Sequence, residues 1–230
     1  MRLDRLLGHL GGLSRQAVRQ ALVARRVRVD GRLETEADCP ISRFQRVELD
    51  DRPIQSGLPA RYFMLHKPAG CVSATHHPHH RTVIDLLDEP DTHELHLAGR
   101  LDLTTTGLVL ITNDGLWSRR ATLPGSRLPK VYLVGTEDPI DPACVEAFAR
   151  GIHFAYEDHT TLPAELDILS PREARLSLHE GRYHQVKRMF GHFRNKVVRL
   201  HRERIGPILL DPALAPGDYR PLSAEEITAF

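Results

Sequence analysis

The chain has few cysteines and no long apolar run, and these shortages exclude several classes of protein. Its three cysteines, Cys39, Cys71 and Cys144, are widely spaced and include no Cys-x-x-Cys pair, which argues against a disulfide framework and a thiolate metal site. No apolar stretch approaches the ~20 residues that cross a bilayer, and charged residues interrupt the N-terminal stretch where a signal peptide needs an apolar core. We therefore expect a cytoplasmic protein without a membrane contact.

Signatures of several large enzyme classes are also missing. The sequence contains no Gly-x-Ser-x-Gly elbow, no phosphate-binding loop and no dinucleotide-binding glycine pattern, so a serine hydrolase, a kinase and a dehydrogenase have no support. The cluster from His76 to His80 has the composition of a metal site, but Pro78 interrupts it and no carboxylate or cysteine lies at a ligand spacing. We predict an exposed loop there, and we expect neither a metal nor a cofactor.

What is present is an ordinary globular composition with two basic segments. Hydrophobic residues make up 41% and charged residues 27% of the 230 positions, which is enough for a sizeable core. The net charge is only +1, yet residues 1–33 carry +6 and residues 182–204 carry +7. Clustered positive charge neutralises phosphates, so the two segments together favour a nucleic acid partner. The alternative for either segment alone is a solvated helix face.

The first fifty residues predict two short helices followed by a hairpin. Leucines from Leu3 to Leu10 have helical spacing, Ser14 can cap a second helix, and Asp30-Gly31 is a two-residue turn signal. This order, and the string LSRQAVRQALVARRVRVDG, resembles the S4 RNA-binding domain. In that family the second helix and the hairpin contact structured RNA, which implies this role for a set of arginines: Arg15, Arg19, Arg25, Arg26 and Arg28.

A linker and a larger second domain are predicted to follow. The stretch DRPIQSGLPA, residues 51–60, has two prolines, a glycine and little periodicity, which is typical of a linker. We predict an S4-like domain with its linker over residues 1–58 and a catalytic domain over residues 59–230, of the α+β class. Strands are predicted at 62–65, 108–112, 131–134 and 174–178, and helices near 83–87, 142–151 and 184–190.

The segment GRLDLTTTGLVLITNDG, residues 99–115, places a carboxylate at the head of an apolar strand. Asp102 precedes this strand, and the turn signal Asn113-Asp114-Gly115 closes it as a loop. An Asp beside threonine and glycine often only caps a turn, which is the simpler role. The order of the other segments favours a chemical role.

Four further segments occur in a specific order with this one. They are RYFMLHKPAG (61–70), RLPKVYLV (127–134), EGRYHQVKRMF (180–190) and LHRERIGPILL (200–210). Together they closely resemble the RsuA-type branch of the pseudouridine synthases over almost the entire chain. The resemblance implies a small N-terminal S4 (α-L) domain, followed by a domain built on a mixed, mainly antiparallel sheet with flanking helices.

The resemblance also implies a reaction and its residues. A pseudouridine synthase breaks the N1 to C1′ bond of a uridine, turns the base and joins C5 to C1′, without a cofactor. Asp102 is then the essential carboxylate, whether it attacks the sugar, attacks the base or removes a ribose proton. Lys187 would keep it ionised, and Tyr132 would stack on the extracted uracil with its hydroxyl near C5. Arg100 would fill the gap left by the flipped nucleotide; otherwise Tyr132 is a core aromatic and Arg100 a surface charge.

The sequence also predicts an RNA target and the surface that faces it. The second basic segment is predicted to face RNA as a group: Arg182, Arg188, Arg194, Arg199, Arg202 and Arg204. The likeness along RYFMLHKP and LHRERIGPILL, with no long basic tail, favours 16S ribosomal RNA, at the uridine-516 type of site, over 23S RNA or tRNA. We expect a monomer that acts on a small-subunit assembly intermediate. A non-catalytic S4-type assembly factor and a hydrolase that releases uracil are the alternatives.

Overall fold

The computed structural model of the chain describes residues 1–123 and 127–230. These residues form two compact units, Met1–Ala60 and Arg61–Phe230, which are called unit 1 and unit 2 below. Within the described residues, no helix combines the length and the apolarity that a membrane span requires.

Unit 1 consists of two helices and a four-stranded sheet. In chain order these are α1 (Leu3–His9), α2 (Arg15–Val23), β1 (Val27–Val29), β2 (Arg32–Leu33), β3 (Val47–Leu49) and β4 (Arg52–Gln55), and the strand order is β2-β1-β3-β4. Ser14 caps α2 by accepting a hydrogen bond from the amide of Ala17 at 3.2 Å, as predicted. Asp30 and Gly31, with φ of 50° and 78°, make the predicted hairpin turn. Leu10 was expected on the apolar face, but α1 ends before it and its side chain is exposed.

The predicted linker is partly wrong, because β4 occupies residues 52–55. Asp50 and Asp51, with φ of 52° and 60°, form a tight turn that returns the chain along β3. Pro53 is compatible with this strand because β4 lies at the edge of the sheet, where one side of the backbone needs no ladder partner. The two prolines therefore favoured a linker prediction where the structure has a strand.

Unit 2 has eleven described strands, nine of which form one mixed sheet. Its strands are β5 (Tyr62–Lys67), β6 (His96–Ala98), β7 (Thr106–Thr112), β8 (Lys130–Thr136), β9 (His153–Phe154), β10 (His159–Thr160), β11 (Glu165–Ser170), β12 (Glu173–Leu178), β13 (Val197–Ile205), β14 (Ile208–Leu209) and β15 (Tyr219–Pro221). Its helices are α3 (Gly115–Thr122), α4 (Ala143–Arg150), α5 (Gln185–His192) and α6 (Ala224–Thr228). The main order is β11-β12-β8-β13-β7-β5-β15; β6 pairs with β7 and β14 with β13, while β9 and β10 form a separate pair. Strands β13 and β7 are parallel and the other described pairs antiparallel, which confirms a mixed, mainly antiparallel α+β domain.

Some predicted elements of unit 2 differ from the structure. The helix expected near 83–87 is a single 3-10 turn, Ile84–Leu86. The loop expected to begin at Asn113 is instead the start of α3, because the Asp114 carboxylate accepts hydrogen bonds from the amides of Leu116 and Trp117. The prediction also lacked β13, whose alternating arginines resemble a basic surface segment.

The sheet separates two apolar cores. Side chains such as Val109 and Val134 point toward α4 and α5, where they meet Phe148 and Phe190. On the opposite face, Trp117 of α3 lies in a second core with residues of β7 and of the C-terminal segment. Because side chains alternate along a strand, neighbouring residues of β8 and β13 face opposite sides. This alternation decides which charged residues reach the site described next.

Candidate active site

The site is centred on Asp102, which lies in the loop between β6 and β7. Its Oδ2 is 3.2 Å from Lys187 Nζ, and its Oδ1 is 3.5 Å from His184 Nε2. The three side chains retain between 28% and 38% of their exposure, so they are accessible from solvent. The structure therefore brings together Asp102 and Lys187, which are 85 positions apart in the sequence.

The first turn of α5 positions both partners of Asp102. His184 is the residue before this helix and has a left-handed backbone, with φ of 49°. Lys187 follows within the first turn, and its Nζ also donates to Thr104 Oγ1 at 3.2 Å. His184 was not among the residues predicted from the sequence. The signal available was its place between Tyr183 and the HQVK segment, but its contact with Asp102 depends on folding.

Lys67 holds the loop that carries Asp102, and it too was missed. Its side chain is completely buried at the end of β5, and its Nζ donates to the carbonyls of Pro68 at 2.9 Å, Leu103 at 3.3 Å and Thr105 at 2.8 Å. Burial lowers the pKa of Lys67 to about 8, while the nearby Cys71 and Asp102 act to raise it. A lysine that continues the alternation of an apolar strand was the signal in the sequence.

Arg202 also supports this loop, and its predicted role as an RNA-facing residue is wrong. Only 2% of it is exposed. Its Nε donates to the Leu108 carbonyl at 2.8 Å and its Nη1 to the Arg100 carbonyl at 3.3 Å. The register of β13 against β8 turns this side chain inward beside Tyr132. It is a buried structural cation at the back of the site.

The rest of the predicted RNA-facing group does not form one surface. Arg204 lines a separate cavity on the opposite face of the sheet, together with His66 and His201. Arg199 of β13 pairs with Glu173 of β12 across the intervening strand β8, at Gly135. The alternation of side chains along β13 therefore divides the basic segment between two faces, which a count of charges along the sequence does not detect.

A cavity of about 900 Å³ opens beside Asp102. Arg100, Tyr132 and Lys187 all line it, so the structure brings the predicted residues to one place. Tyr132 is 8% exposed, and Arg100 is exposed without a side-chain ion pair in the described part of the chain. The volume lies within the usual range for small-ligand pockets.

Lys130 is a further cation in this cavity that the prediction did not single out. Burial and the nearby Arg202 lower the pKa of Lys130, and Glu180 acts to raise it. Its position in the RLPKVYLV segment, two residues before Tyr132, places both side chains on the same face of β8. The cavity thus carries positive charge on two walls.

Glu180 holds the segment that leads into α5. Its Oε1 accepts hydrogen bonds from the Leu162 amide and from Gln185 Nε2, both at 2.8 Å. Its Oε2 accepts from Arg182 Nε at 3.0 Å. Arg188 is likewise engaged, since it pairs with Glu157 and lies 3.9 Å from the centre of the Phe154 ring. An RNA phosphate at Arg182 or Arg188 would have to compete with these carboxylates.

The arginines predicted to bind RNA in unit 1 fall into two groups. Arg15, Arg19 and Arg25 are exposed and form no ion pair within the described residues. Arg26 pairs with Asp50, and Arg28 lies 3.7 Å from Asp51. The three unpaired arginines can therefore contact phosphates without first losing a carboxylate partner.

The histidine cluster borders the cavity at one position. His77 lines it and accepts hydrogen bonds at Nδ1 from the amides of His79 and His80, at 3.2 and 3.1 Å. His76, His79 and His80 are exposed, as predicted for a loop. Across the residues described, no group of three or more His, Cys, Asp or Glu side chains has the arrangement needed to hold a metal ion.

Comparison with known proteins gives a consistent match. Residues 61–192 match the family model described as RNA pseudouridylate synthase. A protein named "Ribosomal small subunit pseudouridine synthase A" from Pseudomonas aeruginosa is 61% identical over 227 residues, covering 99% of both chains. Proteins of the same name from Escherichia coli strain K12 and from Vibrio cholerae are 47% and 45% identical, each covering 100% of this chain and 99% of the relative.

A solved structure agrees over the same length. It is described as a crystal structure of pseudouridylate synthase, is 41% identical in sequence and superimposes with a TM-score of 0.72, covering 100% of this chain and 99% of the other. The match therefore includes unit 1 as well as unit 2.

Proposed function

Because the chain belongs to the RNA pseudouridylate synthase family and is an RNA pseudouridine synthase, we propose that it isomerises one uridine of 16S ribosomal RNA. Relatives at 45% to 61% identity are named for the small ribosomal subunit, which supports small-subunit RNA over other targets. The proposed target is a single position, the uridine-516 type of site.

The ion pair of Asp102 with Lys187 is the observation that carries this proposal. The reaction breaks the N1 to C1′ bond and therefore needs an ionised carboxylate beside the nucleoside. A cation 3.2 Å away stabilises the charged form of Asp102, and His184 Nε2 lies near the other oxygen. The cavity next to this carboxylate offers about 900 Å³, which is sufficient for a flipped nucleoside.

Tyr132 and Arg100 have complementary roles in the proposed mechanism. The Tyr132 ring lines the cavity, where it stacks on the extracted uracil with its hydroxyl near C5, the carbon that loses its proton after the C5 to C1′ bond has formed. Arg100 lies at the exposed edge of the same cavity and occupies the space that the flipped base leaves in the RNA. Extrusion of the base costs a few kcal/mol, which contacts between arginines and phosphates offset.

Unit 1 is proposed to be the S4-type RNA-binding domain of the enzyme. Its free arginines, Arg15, Arg19 and Arg25, contact RNA phosphates, and Arg26 and Arg28 join them when RNA displaces their aspartates. The substrate is a small-subunit assembly intermediate, because the target uridine must be accessible for flipping. The protein acts on it as a monomer.

The test compares wild type with Asp102→Asn, using Asp167→Asn as the matched control because Asp167 is exposed on a distant strand. Pseudouridine is mapped by carbodiimide adducts and primer extension across fragments of 16S and 23S RNA. We expect one modified 16S uridine with wild type and the control, and at least about a thousandfold lower rate with Asp102→Asn.

Three results would contradict the proposal. Full activity of Asp102→Asn would remove the carboxylate from the mechanism. Release of free uracil would indicate a hydrolase, since isomerisation leaves the mass of the RNA unchanged. Modification of 23S RNA or tRNA instead of 16S RNA would show that the assignment of the target is wrong.

A further inference from the structure

Tyr183 is an exposed aromatic residue with one covered ring face. Its ring stacks on the ring of His184, with centroids 3.9 Å apart and an angle of 17° between the planes. Nevertheless, 77% of Tyr183 is exposed. No second ring contact of Tyr183 occurs within the described residues, so the other face of this ring is open to solvent.

The stacked pair is held firmly at the edge of the active-site cavity. Both rings line the cavity that contains Asp102. His184 has a left-handed backbone and its Nε2 contacts Asp102 at 3.5 Å, while the following helix is fixed by its own packing at Val186 and Phe190. Because His184 is fixed and the Tyr183 ring already stacks on it, Tyr183 loses little conformational entropy when a flat ligand stacks on its open face.

A large exposed aromatic ring in this position fits an RNA base. Nucleobases have flat faces that stack on tyrosine whatever their identity. A base next to a flipped nucleotide has lost one of its own stacking neighbours, so it gains from a replacement. Three cations, Arg100, Lys130 and Lys187, line the same cavity as Tyr183, and an RNA strand combines the phosphates that such cations bind with the flat bases that the ring can stack on.

We propose that Tyr183 stacks on an unpaired base adjacent to the target uridine and so determines how the RNA enters the cavity. This inference rests on the proposed function, because the flanking base is defined by the flipped uridine. Tyr183 is therefore a residue that positions the substrate and does not take part in the reaction. The identity of the stacked base is not read by hydrogen bonds, so several bases are acceptable at that position.

The test measures RNA affinity in a double-mutant cycle. The RNA is the 16S fragment that the wild-type chain modifies or, if none is modified, the 16S fragment that contains the uridine-516 type of site, whose uridine then defines the two neighbouring positions. Wild type, Tyr183→Leu and Tyr183→Phe are each titrated with this RNA and with copies made abasic at either position beside the target. Tyr183→Phe keeps the ring and is the matched control.

We expect Tyr183→Leu to bind the intact RNA about 5- to 150-fold more weakly, the usual effect of removing one base–aromatic stack. Tyr183→Phe should bind like wild type. On the RNA that is abasic at the stacked position, wild type and Tyr183→Leu should have equal affinity, because the partner of the ring is gone.

Three outcomes overturn the inference. Equal binding of wild type and Tyr183→Leu to intact RNA would show that the ring does not contact a base. A loss that persists unchanged on both abasic RNAs, or a loss in turnover alone, would show that Tyr183 acts only by supporting His184. A wild type that forms no pseudouridine would contradict the proposed function separately, while the binding cycle could still be read.

Discussion

At the scale of single residues, the two oxygens of Asp102 have different neighbours from one turn of α5. Lys187 lies near Oδ2 and His184 near Oδ1. All three side chains keep more than a quarter of their exposure, so water screens these contacts and they add little to the stability of the fold. Their effect is on the charge and orientation of the carboxylate.

His184→Asn should lower the single-turnover rate about fivefold without unfolding the protein. Asparagine tolerates the left-handed backbone of this position, so the helix start is preserved. Loss of a partly exposed contact with a charged group amounts to about 1 kcal/mol, which corresponds to about fivefold in rate.

His192→Asn is the control, because His192 lies in the last turn of the same helix and is exposed. Pseudouridine formation is followed as a function of pH for all three proteins. A His184→Asn variant with the wild-type rate at every pH would show that the imidazole has no influence on Asp102.

At the scale of elements, the loop between β6 and β7 depends on β5 through Lys67. Lys67→Met removes a donor from three carbonyls and should destabilise the protein by about 2–4 kcal/mol at pH 7. Urea unfolding checks this value. The same variant should also lose activity, because the loop that holds Asp102 is no longer fixed.

The effect of Lys67 on stability should depend on pH. Burial lowers its pKa to about 8 from the usual 10.5, so the folded chain releases this proton at a lower pH than the unfolded chain. The contribution of this proton release to the free energy of unfolding is fully present above pH 10.5, and it is lost as the pH falls through about 8. The difference in stability between wild type and Lys67→Met should therefore widen from pH 8 to pH 10.5; a constant difference would contradict a depressed pKa.

Gly107 is required where β7 approaches β13. Its φ is +107°, and an added Cβ would overlap the backbone of Arg202. Gly107→Ala should cost about 3 kcal/mol or more, a decrease of roughly 6–12 °C in Tm. Gly191→Ala is the control, because Gly191 lies in α5 with open space around it; it should keep or raise the Tm. Equal melting of both variants would show that this close approach is not needed.

The same scale shows how far the sequence predicts the structure. Strand β12, with its apolar alternation, and strand β8, with its continuous apolar run, are predicted well because both patterns report burial directly. Strand β13 is not, since its arginines are buried or divided between faces by pairing with β7 and β8. Tertiary contacts outweigh the local pattern there.

Prediction of the site follows the same division. The family resemblance indicates Asp102, Tyr132 and Lys187, and the structure places all three at one cavity, while their chemical roles remain predictions. Lys67 and His184 have only weak signals in the sequence, because their importance lies in contacts with residues distant along the chain.

At the scale of the whole molecule, the net charge of +1 conceals two basic segments in different units. Arg15 and Arg19 lie four residues apart on α2 and are exposed, so both can reach one phosphate backbone. Replacing both by glutamate should weaken RNA binding and reduce the slope of log Kd against log salt by about two. The rate at saturating RNA should stay unchanged.

Arg150→Glu is the control for this charge reversal, since Arg150 lies on α4 in unit 2 and pairs with Glu146. Affinity is measured by fluorescence anisotropy over a series of salt concentrations. If Arg15→Glu/Arg19→Glu and the control behave alike, unit 1 does not contact the RNA through α2.

Strand β13 runs through the middle of the sheet, although residues 197–205 supply it near the end of the chain. Within the described residues, strand β8, which carries Tyr132, and strand β7, which follows the loop of Asp102, both pair with β13 and not with each other. The pocket is therefore assembled only when residues 197–205 join its two sides, although none of these residues is among the predicted catalytic ones.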